Sequence, residues 1–123
     1  MHKPQEDVQA MHEALGIPVG NYLYPRASRS DLRAELVREE AKELVEALEM
    51  RDFNGVIKEM CDVIVVTYGC AVEFGIPIHP FWDEVHASNM RKVGGPVRAD
   101  GKVLKPEGWQ PADIQGVFDR IYG

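Results

Sequence analysis

Apolar positions recur at helical spacing along most of the chain, and each run ends on a residue that breaks helices. Val8, Met11 and Leu15 repeat within residues 5–15 and stop at Gly16, a natural C-terminal cap. Residues 17–26 hold two prolines, a glycine, Tyr22 and Tyr24, and read as an ordered loop. Ser30 then reads as the N-cap of a long helix, with Asp31 in the first turn where the helix dipole favours a negative charge. Leu32, Leu36, Leu44 and Leu48 carry that helix to about residues 50–52. A third helix starts near residues 52–54, continues through Ile57, Met60, Ile64 and Tyr68, and closes at Gly75 and Pro77. A shorter fourth one is expected over residues 80–91, with Pro80 in its first turn. Beyond Gly94-Gly95-Pro96 the period changes. Val97-Arg98-Ala99 and Lys102-Val103-Leu104 flank Asp100-Gly101, the pattern of a small β-hairpin. Residues 111–121 suit one more short helix. The fold class expected is all-α: an antiparallel four-helix-type bundle with an irregular C-terminal arm, one domain over residues 1–123.

Composition narrows the setting. The chain has 123 residues, 45% of them hydrophobic and 28% charged, which suits one globular domain. Its net charge of −6 argues against a nucleic-acid surface, yet an acidic protein binds a polyanion such as a nucleotide when metal cations come between them. The N-terminal residues, Met1 to Asp7, are polar and unlike a signal peptide. The longest apolar stretch, residues 63–68, is too short to cross a membrane. Cys61 and Cys70 fall in one predicted helix, where a 1.5 Å rise per residue separates them by ~13 Å on opposite sides, too far for a disulfide. Two reduced, mostly buried thiols and a cytoplasmic location are expected.

The third helix is apolar nearly all round and should therefore be interior, but Glu59 and Asp62 interrupt it three residues apart, on one face. Neighbouring carboxylates in a largely buried helix repel one another and lose hydration, and both stay ionised only if cations balance them. Glu40 and Glu43 repeat the geometry on the second helix, in a stripe with Leu36 and Ala47. Taken alone that pair is weak evidence, because residues 31–52 are rich in acids and a solvated acidic face accounts for most of them. A short link makes the two helices antiparallel neighbours, so four carboxylates converge on one seam. An all-oxygen site suits Mg²⁺ or Mn²⁺ rather than zinc. A di-iron bundle would need Glu-x-x-His pairs, and the chain has none.

These residues resemble a known family. Glu39-Glu40-Ala41-Lys42-Glu43-Leu44 followed by Glu59-Met60-Cys61-Asp62 is similar to the E-x-x-E and E-x-x-D signature of the all-α NTP pyrophosphohydrolases, which include MazG, phosphoribosyl-ATP pyrophosphohydrolase and the dimeric dUTPases. Asp7-Val8-x-x-Met11-His12 with Gly16-Ile17-Pro18 near the start, and Asn89-Met90-Arg91-Lys92 leading into Gly101-Lys102-Val103-Leu104-Lys105-Pro106-x-Gly108-Trp109, extend the likeness over most of the chain. The resemblance implies that Glu40, Glu43, Glu59 and Asp62 are metal ligands and that Glu39 orients or deprotonates the attacking water. It further implies that Asn89 and Lys92 face the phosphates or sugar of a nucleoside triphosphate. For Arg91, Lys102 and Lys105, phosphate contact and surface charge stand level; Trp109 as a pin for the arm is the commoner role of a lone tryptophan.

The expected reaction is Mg²⁺-dependent hydrolysis of a nucleoside triphosphate, a dNTP by preference, to the monophosphate and pyrophosphate, serving nucleotide-pool control or house-cleaning. Two alternatives stand beside it: a phosphoribosyl-ATP pyrophosphohydrolase of histidine synthesis, and a non-catalytic nucleotide- or metal-binding helical module. His12, Tyr22, Tyr24 and Trp109 are candidates for stacking on the base. A short amphipathic bundle with an apolar third helix suggests a homodimer or a dimer of dimers. No nucleic acid or membrane is expected as a partner.

Overall fold

The computed structural model describes residues 3–20 and 27–123. Among the described residues five helices form: α1 (Lys3–Leu15), α2 (Ala27–Glu49), α3 (Phe53–Phe74), α4 (Ile78–Met90) and α5 (Ile114–Tyr122). The all-α expectation holds, and α2 packs closely along α3. The chain divides into two compact units, Met1–Ile78 and His79–Gly123.

In the first unit, chain punctuation sets the helix ends. Gly16 adopts a left-handed φ of 72° after α1, and Gly75 does the same after α3 with a φ of 69°, a conformation that a Cβ would penalise. Asp52 caps α3: its Oδ1 accepts the Gly55 N–H at 3.1 Å. Only residues 50–52 join α2 to α3, so the two helices run antiparallel. Arg51 takes a positive φ of 54° in that tight link.

A buried ion pair locks the far end of α2 and α3. Glu73 is fully buried, and its carboxylate accepts from Arg29 Nε at 3.2 Å and Nη2 at 2.6 Å. This bidentate pairing holds the Arg29 guanidinium above its ordinary pKa. Arg33, also buried, lies 3.5 Å from the same carboxylate and donates to the Val66 carbonyl at 2.7 Å. Its guanidinium crosses α3 at Gly69, where a Cβ would sit 1.9 Å from Nη2. Gly69 is thus the gap through which Arg33 reaches the core.

Four expectations are corrected here. Helix α2 begins at Ala27, so Ser30 sits within the first turn rather than capping it, and its Oγ is buried without a partner among the described residues. The Arg29–Glu73 contact anchors these upstream residues against α3 and extends the helix. Likewise α4 starts at Ile78, not Pro80, because the Gln5 amide oxygen accepts the Ile78 N–H at 2.9 Å. Third, α3 is not interior all round: Phe53, Ile57, Met60 and Ile64 are exposed. In this unit α1 and α2 are the helices packed on it, and two neighbours do not wrap a helix that is apolar on every side. Fourth, Cys61 is exposed and Cys70 half-buried, both as free thiols.

In the second unit, residues 96–104 make one antiparallel bridge, Val97 to Val103, closed at the Asp100-Gly101 turn. The expected hairpin is present in this reduced form, without a full strand. Trp109 pins the arm to α4 by donating Nε1–H to the Ser88 carbonyl at 2.8 Å. Arg91 adds donations to the carbonyls of Gln110 and Pro111. Helix α5 is capped by Asp113, whose Oδ1 accepts the Gly116 N–H, and it buries Val117. Among the described residues no helix is long and apolar enough to cross a membrane.

Removing Glu73 leaves the buried Arg33 guanidinium without its counter-charge. Glu73→Ala should lower stability by about 3–5 kcal/mol, the usual loss on breaking a buried pair. Urea unfolding followed by circular dichroism checks this, and a loss below about 1 kcal/mol would remove the pair from its anchoring role.

Candidate metal centre

Glu40 and Glu43 project from the middle of α2, and Glu59 and Asp62 from the first half of α3. One carboxylate oxygen from each of the four lies within 4.8 Å of the others. The E-x-x-E and E-x-x-D spacings place each pair on one helix face, and the antiparallel packing of α2 on α3 turns the two faces together. Glu40, Glu59 and Asp62 are half-buried and Glu43 is exposed, so the cluster opens to solvent on the Glu43 side.

Four carboxylates at this separation repel strongly. Their hydrogen bonding is also incomplete: Oε2 of Glu40 and Oε2 of Glu59 are buried and have no hydrogen-bond partner among the described residues. A buried anionic oxygen without a donor is costly, and a hard divalent cation removes that cost, since it takes oxygen ligands only and brings two positive charges. The residues present therefore fit a divalent ion.

One cation of the chain already stands at the rim. Lys58 Nζ is 2.6 Å from Asp62 Oδ2 and 3.4 Å from Glu59 Oε1. The hydrogen bond to Asp62, the charge of that carboxylate and the contact with Glu59 raise the lysine above its ordinary range. Sequence reasoning missed this residue, although its place four residues before Asp62 puts it on the same face. It also missed the Arg29–Glu73–Arg33 network. The signal there was two arginines one turn apart on α2, facing an acid set among small and apolar residues of α3.

Glu39 is exposed on α2 and is not one of the four clustered carboxylates. Asn89 and Lys92 belong to the second unit. Asn89 is exposed in the last turn of α4, and its carbonyl accepts the Lys92 N–H at 3.0 Å. Lys92 Nζ lies 5.5 Å from the Trp109 ring centre, and Lys105 Nζ lies 4.7 Å from the same ring. His12 is withdrawn as a base-stacking candidate. It is buried in α1, with Nδ1 3.1 Å from the Pro18 carbonyl oxygen. Tyr22 and Tyr24 fall outside the described residues.

Comparison with known proteins supplies a family. The family model described as phosphoribosyl-ATP pyrophosphohydrolase matches residues 8–89, which include α2, α3 and all four clustered carboxylates. A search of curated proteins found no match. Since the family match spans well over half of its residues, the chain belongs to the phosphoribosyl-ATP pyrophosphohydrolase family, within the all-α, MazG-like NTP pyrophosphohydrolases.

Proposed function

We propose that this protein hydrolyses a nucleoside triphosphate, a dNTP by preference, to the monophosphate and pyrophosphate, with Mg²⁺ or Mn²⁺ held by Glu40, Glu43, Glu59 and Asp62. The observation that carries the reading is the convergence of four carboxylates within 4.8 Å, two of them with buried oxygens that lack a partner among the described residues. A divalent ion bound there supplies positive charge that offsets the polyphosphate and the charge that develops during phosphoryl transfer. Glu39 precedes the first ligand, is rotated about 100° from it around the helix axis, and is exposed. In this reading it accepts a proton from the attacking water. Lys92 and Asn89 engage the phosphates or sugar. The whole of residues 1–123 acts as one domain of the family, in the cytoplasm, in the service of nucleotide-pool control.

A second reading has its own support. The matching family model carries the description phosphoribosyl-ATP pyrophosphohydrolase, and that substrate presents the same triphosphate to the same carboxylates. The two readings part on substrate alone. A panel of canonical and modified NTPs and phosphoribosyl-ATP, scored by pyrophosphate release, separates them. At least one member should turn over with Mg²⁺ or Mn²⁺ and none in EDTA. No metal-dependent turnover across the panel would leave a non-catalytic module.

Roles within the cluster are separable. Glu39→Gln should reduce turnover about 10²–10⁴-fold, the range for loss of a general base, with metal binding nearly intact. Asp62→Asn should weaken metal binding itself, and should raise stability in metal-free buffer by relieving carboxylate repulsion. Calorimetric metal titration beside turnover decides between them. Full activity in Glu39→Gln, or equal loss of metal in both variants, would overturn the division.

The assembly we propose is a homodimer or a dimer of dimers. Its support is the apolar stripe of Phe53, Ile57, Met60 and Ile64 left exposed on α3, with Val45 and Leu48 exposed on α2. Light scattering at micromolar concentration should report at least a dimer, and an active, stable monomer would refute the proposal.

A further inference from the structure

The acidic cluster is asymmetric. On one side, Oε2 of Glu40 and Oε2 of Glu59 are buried and have no partner among the described residues. On the other, the Asp62 carboxylate is already met by an ammonium group, Lys58 Nζ at 2.6 Å, which also reaches Glu59 Oε1 at 3.4 Å. Lys58 itself is largely exposed, with 66% of its side-chain surface open to solvent. Its long, flexible stem lets the ammonium leave without any change in the helix. The pair also runs in the weaker direction for a helix, since a base placed N-terminal to an acid opposes the macrodipole. Helix stability therefore gives little reason for a lysine at this position, whereas four crowded carboxylates give a strong one.

We infer that Lys58 is a resident counter-ion of the metal centre, holding the Asp62 side of the cluster in the metal-free protein and giving way when a divalent ion enters. The inference rests on the four carboxylates being the metal site. Its consequence is a competition built into the chain. The ammonium relieves carboxylate repulsion when no metal is present, and it opposes a second cation at the same oxygens. A divalent ion about 4 Å from a fixed unit positive charge would lose roughly thirtyfold in affinity even when water screens the pair; an ammonium that swings aside keeps part of that penalty, an effect on the order of tenfold. Lys58 thus sets how readily the free protein takes up metal, apart from any contact with substrate.

Mn²⁺ alone, titrated into the full chain by calorimetry and counted by electron paramagnetic resonance, tests this without nucleotide. Lys58→Met should bind Mn²⁺ about tenfold more tightly than the unmodified protein. Its metal-free Tm should fall, and Mn²⁺ should raise its Tm by more, as tighter ligand binding to the folded state requires. Lys58→Arg keeps the charge and should stay near the unmodified affinity. If Lys58→Met does not fold, Lys58→Gln carries the same expectation. Mn²⁺ uptake by the unmodified protein with equal or weaker uptake by the neutral variants overturns the counter-ion role and leaves the metal centre standing. Weaker uptake would make Lys58 a support for the ligands instead. Absence of Mn²⁺ uptake in every protein overturns the metal centre itself, and the inference with it.

Discussion

Mutual repulsion among Glu40, Glu43, Glu59 and Asp62 is the constraint around which the first unit is organised, because four negative charges inside 4.8 Å push the helices that carry them apart. Something else must hold α2 against α3. At one end the link of residues 50–52 ties them covalently, with the Asp52 cap starting α3 at once. At the other end Glu73 grips Arg29 and lies beside Arg33. The carboxylates lie between these two fixed points.

The register is internally consistent. Glu43 and Glu59 lie equally far along the chain from Arg51, as do Glu40 and Asp62, Arg33 and Gly69, and Arg29 and Glu73. One antiparallel alignment therefore serves the link, the acid cluster, the arginine gap and the buried pair together. A slip of one residue would move an acid by about 1.5 Å along the axis and 100° around it. It would also drive the Arg33 guanidinium against a side chain in place of Gly69. The residues that look purely structural are thus what positions the chemistry.

This division explains what the sequence disclosed. Gly16, Gly75 and Asp52 act through local backbone geometry, so the ends they set were readable from single residues. The carboxylate cluster was readable because two E-x-x-acid pairs joined by a short link leave few ways to pack. Tertiary facts were not. Ser30 has every local mark of a cap, yet the Arg29–Glu73 contact draws the helix start upstream of it. Glu73 near a helix end reads as a solvated acid until two arginines from another helix are brought to it. His12 looks like an available aromatic, and its burial depends on where the chain turns back at Pro18. Lys58 was overlooked because one lysine among many charges has no pattern of its own; its meaning comes from the four acids beside it.

Helix α3 carries two different stripes. Glu59, Asp62, Val66, Gly69 and Glu73 succeed one another at intervals of three and four, and form the edge that meets α2. Phe53, Ile57, Met60 and Ile64 follow the same intervals but fall nearly half a turn away around the axis, and these are the exposed ones. A helix apolar on most of its surface looked in the sequence like one buried on all sides. The structure divides it instead into a polar edge used within the chain and an apolar edge left open. A second copy covering the open edge would bury Phe53 and Ile57 without touching the register that gathers the carboxylates. The proposed assembly and the proposed chemistry therefore make compatible demands on one helix. That compatibility is a physical reason for acids and large apolar residues to alternate so closely between Phe53 and Ile64.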